Sequence, residues 1–326
     1  MYTFVGFGEL VVDKTYDERG NLLKQDGGDT TWNILYHLGL MGEKSYAIGA
    51  VGNDENTQVA INSLKRAKVN TDYIEVQNKK TNVIYSTLKI DKNGKHNITF
   101  SENSPLDGES CFQMSQQLPT ILPEEIREQN LIVILMDLDE QNLEFINGIK
   151  NKKVALDLGH VEFFEELNSE YILQFLKRVD ICQLNGDVVK TLLKKLNVSN
   201  EIEIYKKLNP ELLIITYGKN GAKFLYEENE NIIEINKKPK EVIENVIDTS
   251  GAGDGFLSVI LKVYNRYVSQ DKKIDKNFID NAFALANRFS CQIVQQIGCR
   301  GTKTTLFNWL NDYNKLYTNN ENELYY

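Results

Sequence analysis

Residues 246–256 read VIDTSGAGDGF: Gly251-Ala252-Gly253, then Asp254, then the first residues of an apolar run. Glycine permits a sharp turn and lets another group come close to the backbone. The run that follows, GFLSVILKVYNRYV (255–268), has helical spacing. A helix N-terminus carries backbone N–H groups without intrahelical partners and a partial positive charge. Small residues at that point suit an anion such as a phosphate. A carboxylate beside the anion suits removal of a hydroxyl proton while the amides hold a transferring phosphoryl group. The alternative is structural, a glycine turn followed by an N-capping aspartate. No GK[ST] follows, so this is not the common phosphate loop. GFGELVVD (6–13) lacks the third glycine of a dinucleotide fingerprint, and the protein-kinase run HRDLxxxxN is absent.

Working outward, the chain alternates strand and helix. YTFVGFG (2–8) and KSYAIGAVG (44–52) read as buried strands ending in glycine, and TWNILYHLGLMG (31–42) and NTQVAINSLKRAKV (56–69) as helices. LIVILM (131–136), KKVALDLG (152–159), VDICQLNG (179–186) and ELLIITYG (211–218) are further buried strands, with helical segments between most of them. AKFLYE (222–227) and NIIEINK (231–237) read as an edge hairpin, and NFIDNAFALANRFSCQIVQQIG (277–298) as a long helix. This is an α/β pattern, a mostly parallel sheet with helices on both faces. Two stretches break it. TNVIYSTLKIDKNGKHNITF (81–100) is two β-rich runs around Asn93-Gly94, a hairpin signal. Residues 10–26 interrupt the alternation in the same way. Both are read as parts of a small β lid, with segments near 10–26 and 81–104, on a single body spanning 1–326. The tail NNENELYY (319–326) reads as frayed.

Composition narrows the function classes. The chain has 326 residues and a formal net charge of −9, which argues against nucleic acid as a partner. Cys111, Cys182, Cys291 and Cys299 form no CxxC pair and read as reduced, inert thiols. His37, His96 and His160 lack metal-binding spacing. No apolar run approaches the ~18 residues of a spanning helix, and the N-terminus lacks a signal-peptide pattern. A cytoplasmic protein without a membrane partner is expected.

DTSGAGDGF (248–256) resembles the C-terminal signature of the ribokinase-like (pfkB) carbohydrate kinases. Three further pieces occur in the family's order. GGDTTWNILYHLGLMGEKSYAIGAVGND (27–54) is similar to its N-terminal signature, LIITYGKNGAKFL (213–225) to the strand and turn approaching the nucleotide, and ALANRFSCQIVQQIGCRGT (284–302) to the final helix and loop. The resemblance spans nearly the whole chain. It implies ATP-dependent phosphorylation of a sugar or similar alcohol, with Mg²⁺, under a β lid that closes over the sugar.

By position, Asp254 resembles the catalytic base and Gly251, Ala252 and Gly253 the anion hole. Asp13, Gly27, Gly28 and Asn33 resemble the sugar-binding positions. Asn185, Thr216, Gly218, Gly221 and Asn287 resemble the ATP-binding ones. Asp248, Ser250 and the segment ending at Thr302 match where many relatives hold a monovalent cation such as K⁺. A fructokinase-like hexose kinase leads. A ribokinase, a nucleoside kinase and a modified-sugar kinase are the alternatives, with a non-catalytic sugar or nucleotide sensor behind them. Two departures matter. Relatives often carry Asn-x-x-Glu near the metal, and here Asn185-Gly186-Asp187-Val188 puts valine at the glutamate position. Glu102 stands where sugar-acid and fructose kinases of the family often have arginine, which disfavours an anionic acceptor. Alternation in the lid offers Val83, Tyr85, Thr87 and Phe100 as an apolar face, and from it a homodimer through the lid is expected.

Overall fold

Apolar runs with no polar alternation need cover on both faces. In the computed structural model such runs build the centre of one sheet; it describes residues 1–91, 96–101, 103, 104, 106, 116–239 and 243–317. The strands are β1 (Thr3–Glu9), β2 (Val11–Asp17), β3 (Leu22–Gly27), β4 (Ser45–Gly52), β5 (Asn70–Gln77), β6 (Asn82–Ile90), β7 (His96–Ser101), β8 (Leu131–Leu135), β9 (Lys153–Leu158), β10 (Ile181–Asn185), β11 (Leu212–Thr216), β12 (Ala222–Glu228) and β13 (Asn231–Lys237). The helices are α1 (Thr30–Leu40), α2 (Thr57–Arg66), α3 (Glu124–Arg127), α4 (Glu140–Gly148), α5 (Ser169–Leu176), α6 (Gly186–Lys195), α7 (Glu201–Leu208), α8 (Ala252–Ser269), α9 (Lys276–Ile293) and α10 (Lys303–Tyr317).

The main sheet has the order β13-β12-β11-β10-β9-β8-β1-β4-β5. Its strands run parallel from β11 to β5, and β12 and β13 add the antiparallel edge hairpin. Each parallel strand divides its side chains between two cores. In β8, Ile132 and Ile134 join the core under α1, α8 and α9, while Leu131, Val133 and Leu135 join the core under α4 to α7. The order reverses between β1 and β8, because the chain leaves β1 for β4 on one side and returns to β8 on the other. Ligands of such sheets bind at the carboxyl ends of the strands beside this switch.

β5 and α10 lack a clear sequence signature. β5 is an edge strand with only Thr71 buried. α10 buries just Thr305, Trp309 and Tyr313, a narrow stripe at four-residue spacing in an otherwise polar segment.

The interrupting segments form a separate four-stranded sheet, β3-β2-β6-β7, with β2 and β6 parallel and the outer pairs antiparallel. Here the expected free apolar face is corrected. Val83 and Tyr85 are only 5% and 7% exposed and belong to the body's core with Val12, Tyr16, Ala60 and Leu64. Phe100 pairs with Ser86, so the pleat puts it on the opposite face from Val83 and Tyr85, where it is 58% exposed. Asn93-Gly94, Glu102, Cys111 and the tail from 318 lie outside the described residues.

Candidate active site

The functional side chains gather at the carboxyl ends of the central strands. Gly251 precedes α8 with φ 74°, a left-handed backbone, and a Cβ there would lie 2.2 Å from the Cys299 carbonyl oxygen. Glycine is therefore required twice over, by conformation and by space. Ala252, Gly253 and Asp254 form the first turn of α8, where helix geometry leaves N–H groups without a carbonyl four residues back; that of Ala252 donates to the Thr249 carbonyl at 3.3 Å. Gln183 of β10 ties this turn to the sheet: its amide donates to the Gly253 carbonyl at 3.0 Å and to Asp157 Oδ2 of β9 at 2.8 Å.

Asp254 is 7% exposed, and its Oδ2 accepts from Asn33 Nδ2 at 2.7 Å. Burial pushes its pKa up to about 6, against the opposing pull of the hydrogen bonds from Asn33 and Thr30 and of the charges on His160 and Arg300. At neutral pH the carboxylate is ionised with appreciable proton affinity, the poise of a general base.

Further carboxylates surround it. Burial raises Asp13 to about 6, opposed mainly by Arg300, and its Oδ1 has no hydrogen-bond partner. Asp29 at the start of α1 is held well above the usual range by burial and by Asp137, Asp13 and Asp254. Asp157 rises through burial and the neighbouring Asp254 charge. Asp137, after β8, is pushed up to about 7 by burial, with Asp139 and Glu9 adding to it. A small recess joins Asp13, Thr15, Lys24, Asp26 and Gly27 of the lid to Gly298, Cys299 and Arg300 of the body. Gly28 leaves room for Asp13, since a Cβ there would fall 1.9 Å from Asp13 Oδ1. At Gly27 a Cβ would fall 2.1 Å from Ser63 Oγ.

Asn33 is 2% exposed, and both ends of its carboxamide are engaged inside the protein. Nδ2 donates to Asp254, and Oδ1 accepts from Arg300 Nε at 2.8 Å. Of the four residues whose sequence pattern suggests sugar contact, Asp13 is the one with an open acceptor.

On the other side of Gly253 lies a cavity of about 490 Å³. Its walls include Thr216, Gly218, Gly221, Ala252, Gly253 and Asn287, together with apolar Ile243, Val246, Phe256, Phe283 and Val294. Gly218 (φ 55°) and Gly221 (φ 101°) hold the turn after β11 in the left-handed region, and a Cβ at Gly221 would lie 1.9 Å from the Lys237 carbonyl oxygen. Asn185 is not on this wall. Its Oδ1 caps α6 through the N–H groups of Asp187 and Val188, and its Nδ2 donates to the Gly159 carbonyl. Val188 is fully buried in the core, and Asp187 faces solvent beside Lys190, so neither replaces the glutamate found in relatives.

Asp248 accepts from Ser250 N at 2.8 Å and Gly298 N at 2.7 Å, pinning the loop before α8 to the loop before α10. The Thr302 hydroxyl caps α10 by accepting from Thr305 N.

Asp157, Gln183, Asp29, Cys299 and Arg300 escaped the sequence reading. Two had a signal: Asp157 in KKVALDLG and Gln183 in VDICQLNG are polar residues inside buried runs. Cys299 donates to Asp13 Oδ2 at 3.4 Å, and Cys291 lines the cavity, so two thiols read as inert stand at the site.

The family model for pfkB family carbohydrate kinases matches residues 7–306. The chain belongs to that family. As a pfkB kinase it is 24% identical to an ATP-dependent 6-phosphofructokinase of Thermoanaerobacterium thermosaccharolyticum over 87% of this chain and 88% of the relative. It is 25% identical to a ribokinase of Dictyostelium discoideum over 82% of this chain and 85% of the relative. Among solved structures, a fructokinase with bound ATP from Xylella fastidiosa superposes with a TM-score of 0.73 at 16% identity, covering 95% of this chain and 98% of that one. A Vibrio cholerae fructokinase in a fructose-, ADP- and potassium-bound form superposes at 0.71 with 18% identity, covering 94% and 98%. The pfkB kinase thus has the ribokinase-like α/β fold, as the sequence leads one to expect. Among the described residues, no helix is long and apolar enough to cross a membrane.

Proposed function

We propose that this carbohydrate kinase transfers the γ-phosphoryl group of ATP to a hydroxyl of an unphosphorylated hexose, as a fructokinase does. The observation carrying this reading is Asp254 in the first turn of α8, held by Asn33, with Gly253 of the same turn on the wall of the 490 Å³ cavity and Asp13 and Arg300 of the recess close enough to act on it by charge. Asp13 and the backbone at Gly27 and Gly28 hold the acceptor. Asp254 takes the proton of the attacking hydroxyl. The N–H groups of Gly251, Ala252 and Gly253 receive the charge that develops on the phosphoryl oxygens.

The nucleotide occupies the cavity, its phosphates at the Thr216–Gly221 turn and its base near Phe283 and Asn287. Among the described residues no cluster of His, Cys, Asp or Glu would hold a metal ion alone. A Mg²⁺ ion arriving with the nucleotide phosphates would supply charge that polarises the transferring group. The Asp248–Ser250 turn and the 294–302 loop form the monovalent-cation region, a reading supported by the potassium-bound relative. The lid built from β2, β3, β6 and β7 closes over the sugar and excludes water. Its outer residues Phe100 and Ile90, 58% and 57% exposed, supply the apolar contact of a homodimer. A cytoplasmic location is part of this reading, supported by the use of ATP.

The recess sets Asp13 and Asp26 against Lys24 and Arg300, a balanced lining, and the unpartnered Asp13 Oδ1 is an acceptor suited to a neutral sugar hydroxyl. ATP consumption across ketoses, aldoses, sugar acids, sugar phosphates and nucleosides tests this. Fructose should give the highest kcat/KM. Highest turnover with a nucleoside or a sugar phosphate would overturn the acceptor assignment, and binding without any turnover would point to a sensor.

A further inference from the structure

Arg300 is 3% exposed and lies directly against the residue that holds Asp254. Its Nε donates to Asn33 Oδ1 at 2.8 Å, and one terminal nitrogen donates to Ser63 Oγ at 2.6 Å and sits 3.7 Å from Asp26. The guanidinium stacks 4.9 Å above the Tyr36 ring. These contacts reach it from three elements: α1, α2 and β3.

We infer that Arg300 is a positioning residue for phosphoryl transfer, locking the Asn33 carboxamide so that its N–H group is aimed at the Asp254 carboxylate. The inference rests on Asp254 being the general base. A guanidinium has donors and no acceptor, so only the amide oxygen can face Arg300. A carboxylate is an acceptor, so only the amide nitrogen can face Asp254. The two neighbours together leave the carboxamide one orientation, and a flip would break both bonds. Without Arg300 the amide is free to turn, and the carboxylate loses a fixed reference for its lone pairs. Proton abstraction depends on that direction, because a general base must meet the hydroxyl within hydrogen-bond reach.

The titratable and charged groups facing Asp254 come from several elements: Asp13 on β2, Asp29 before α1, Asp157 on β9, His160 after β9, and Cys299 with Arg300 before α10. Of these, Arg300 is the one that also acts through a hydrogen-bonded amide. Losing either its charge or the amide's donation raises the proton affinity of Asp254, so the acid limb of the rate profile moves to higher pH.

The test compares variants by kcat, KM for ATP, melting temperature and the pH profile. Arg300→Lys keeps the charge but loses the planar fork. It should lower kcat about 10- to 100-fold while KM for ATP stays within about twofold. In an Asn33→Leu background the same change should cost less than about twofold, because both act on one bond. Ser63→Ala removes a contact of Arg300 without touching the amide. It should lower the melting temperature and leave the acid limb in place. Asn33→Asp keeps an acceptor for Arg300 and replaces the donation to Asp254 with a second carboxylate, so it tests whether residue 33 sets the proton affinity of Asp254 should Arg300→Lys fail to fold. Its acid limb should rise by about one pH unit.

Folded Arg300→Lys with unchanged kcat would overturn the inference, as would a full effect in the Asn33→Leu background or an unmoved limb in Asn33→Asp. Asp254→Asn separates the two levels. If it keeps wild-type turnover, the base assignment fails; if it is inactive while the Arg300 and Asn33 results go the wrong way, only the positioning role fails.

Discussion

The turn that opens α8 adjoins two regions built differently. On the acceptor side, Asp13, Asp29, Asp157 and Arg300 crowd around Asp254, buried and interacting by charge. On the nucleotide side, the cavity wall combines Ile243, Val246, Phe256, Phe283 and Val294 with glycine turns, and Lys219 is its one charged lining residue among those described. The contrast matches what each side does under the proposed function. A flat nucleotide base is held by shape and apolar area, which tolerate exchange of one hydrophobic residue for another. Sugar hydroxyls are told apart by direction, and direction requires fixed polar groups that cost stability to bury.

If the acceptor side carries the chemistry, the largest effect belongs to Asp254→Asn. It should lower kcat by about 10³-fold while ATP binding, read by calorimetry, stays within about twofold. Turnover near the wild-type rate would dissolve the contrast. Gly251→Ala strikes the boundary itself. Its Cβ meets the Cys299 carbonyl at 2.2 Å on a left-handed backbone, so a stability loss of about 2 kcal/mol or more is expected in denaturant melts, with a fall in kcat. Phe283→Ala should sharpen the comparison from the nucleotide side. It removes apolar wall, so KM for ATP should rise roughly tenfold while KM for the acceptor stays within about twofold.

The smallest effects concern pH. With Asp254 at about 6, kcat/KM should fall below pH 6 as the base is protonated. The sign for stability is the reverse. Folding favours the protonated carboxyl, so the cost of burying this charge is absent below the unfolded pKa near 3.8 and grows as pH rises through about 6. Asp254→Asn should therefore melt higher than wild type at pH 7.5, by something on the order of 2 °C, and match it below pH 4. An equal melting temperature at both pH values would mean that the buried carboxylates are better compensated than their geometry suggests.

The same contrast governs what could be read from the residues alone. The nucleotide side and the sheet were legible, because each depends on short contiguous patterns: apolar runs, glycine turns, the 277–298 helix. The acceptor side was legible only where a local motif marks it, at Gly27-Gly28 and Gly251–Asp254. Asn33 shows why. Its place in the N-terminal signature suggested a sugar contact, yet its neighbours are Asp254, 221 residues away, and Arg300, 267 residues away. Nothing in CRGT marks Arg300 as more than a surface loop residue. The lid face failed for a related reason. Alternation identifies which side chains share a face, but Val83 and Tyr85 were drawn into the body's core because the lid sheet folds back on α2.

The sequence by itself determined the strand–helix alternation, the glycine turn before α8, the carboxylate beside it and the pfkB family. These rest on hydrophobic period and backbone freedom, which are properties of neighbours along the chain. The tertiary structure alone decided that Asn33 faces Asp254 rather than an open pocket, that Val188 is core, and that Arg300 closes the chain of hydrogen bonds behind the base. Those depend on which distant segments the sheet brings to its carboxyl edge, and on burial, which sets both the strength of each charge and the direction of each donor.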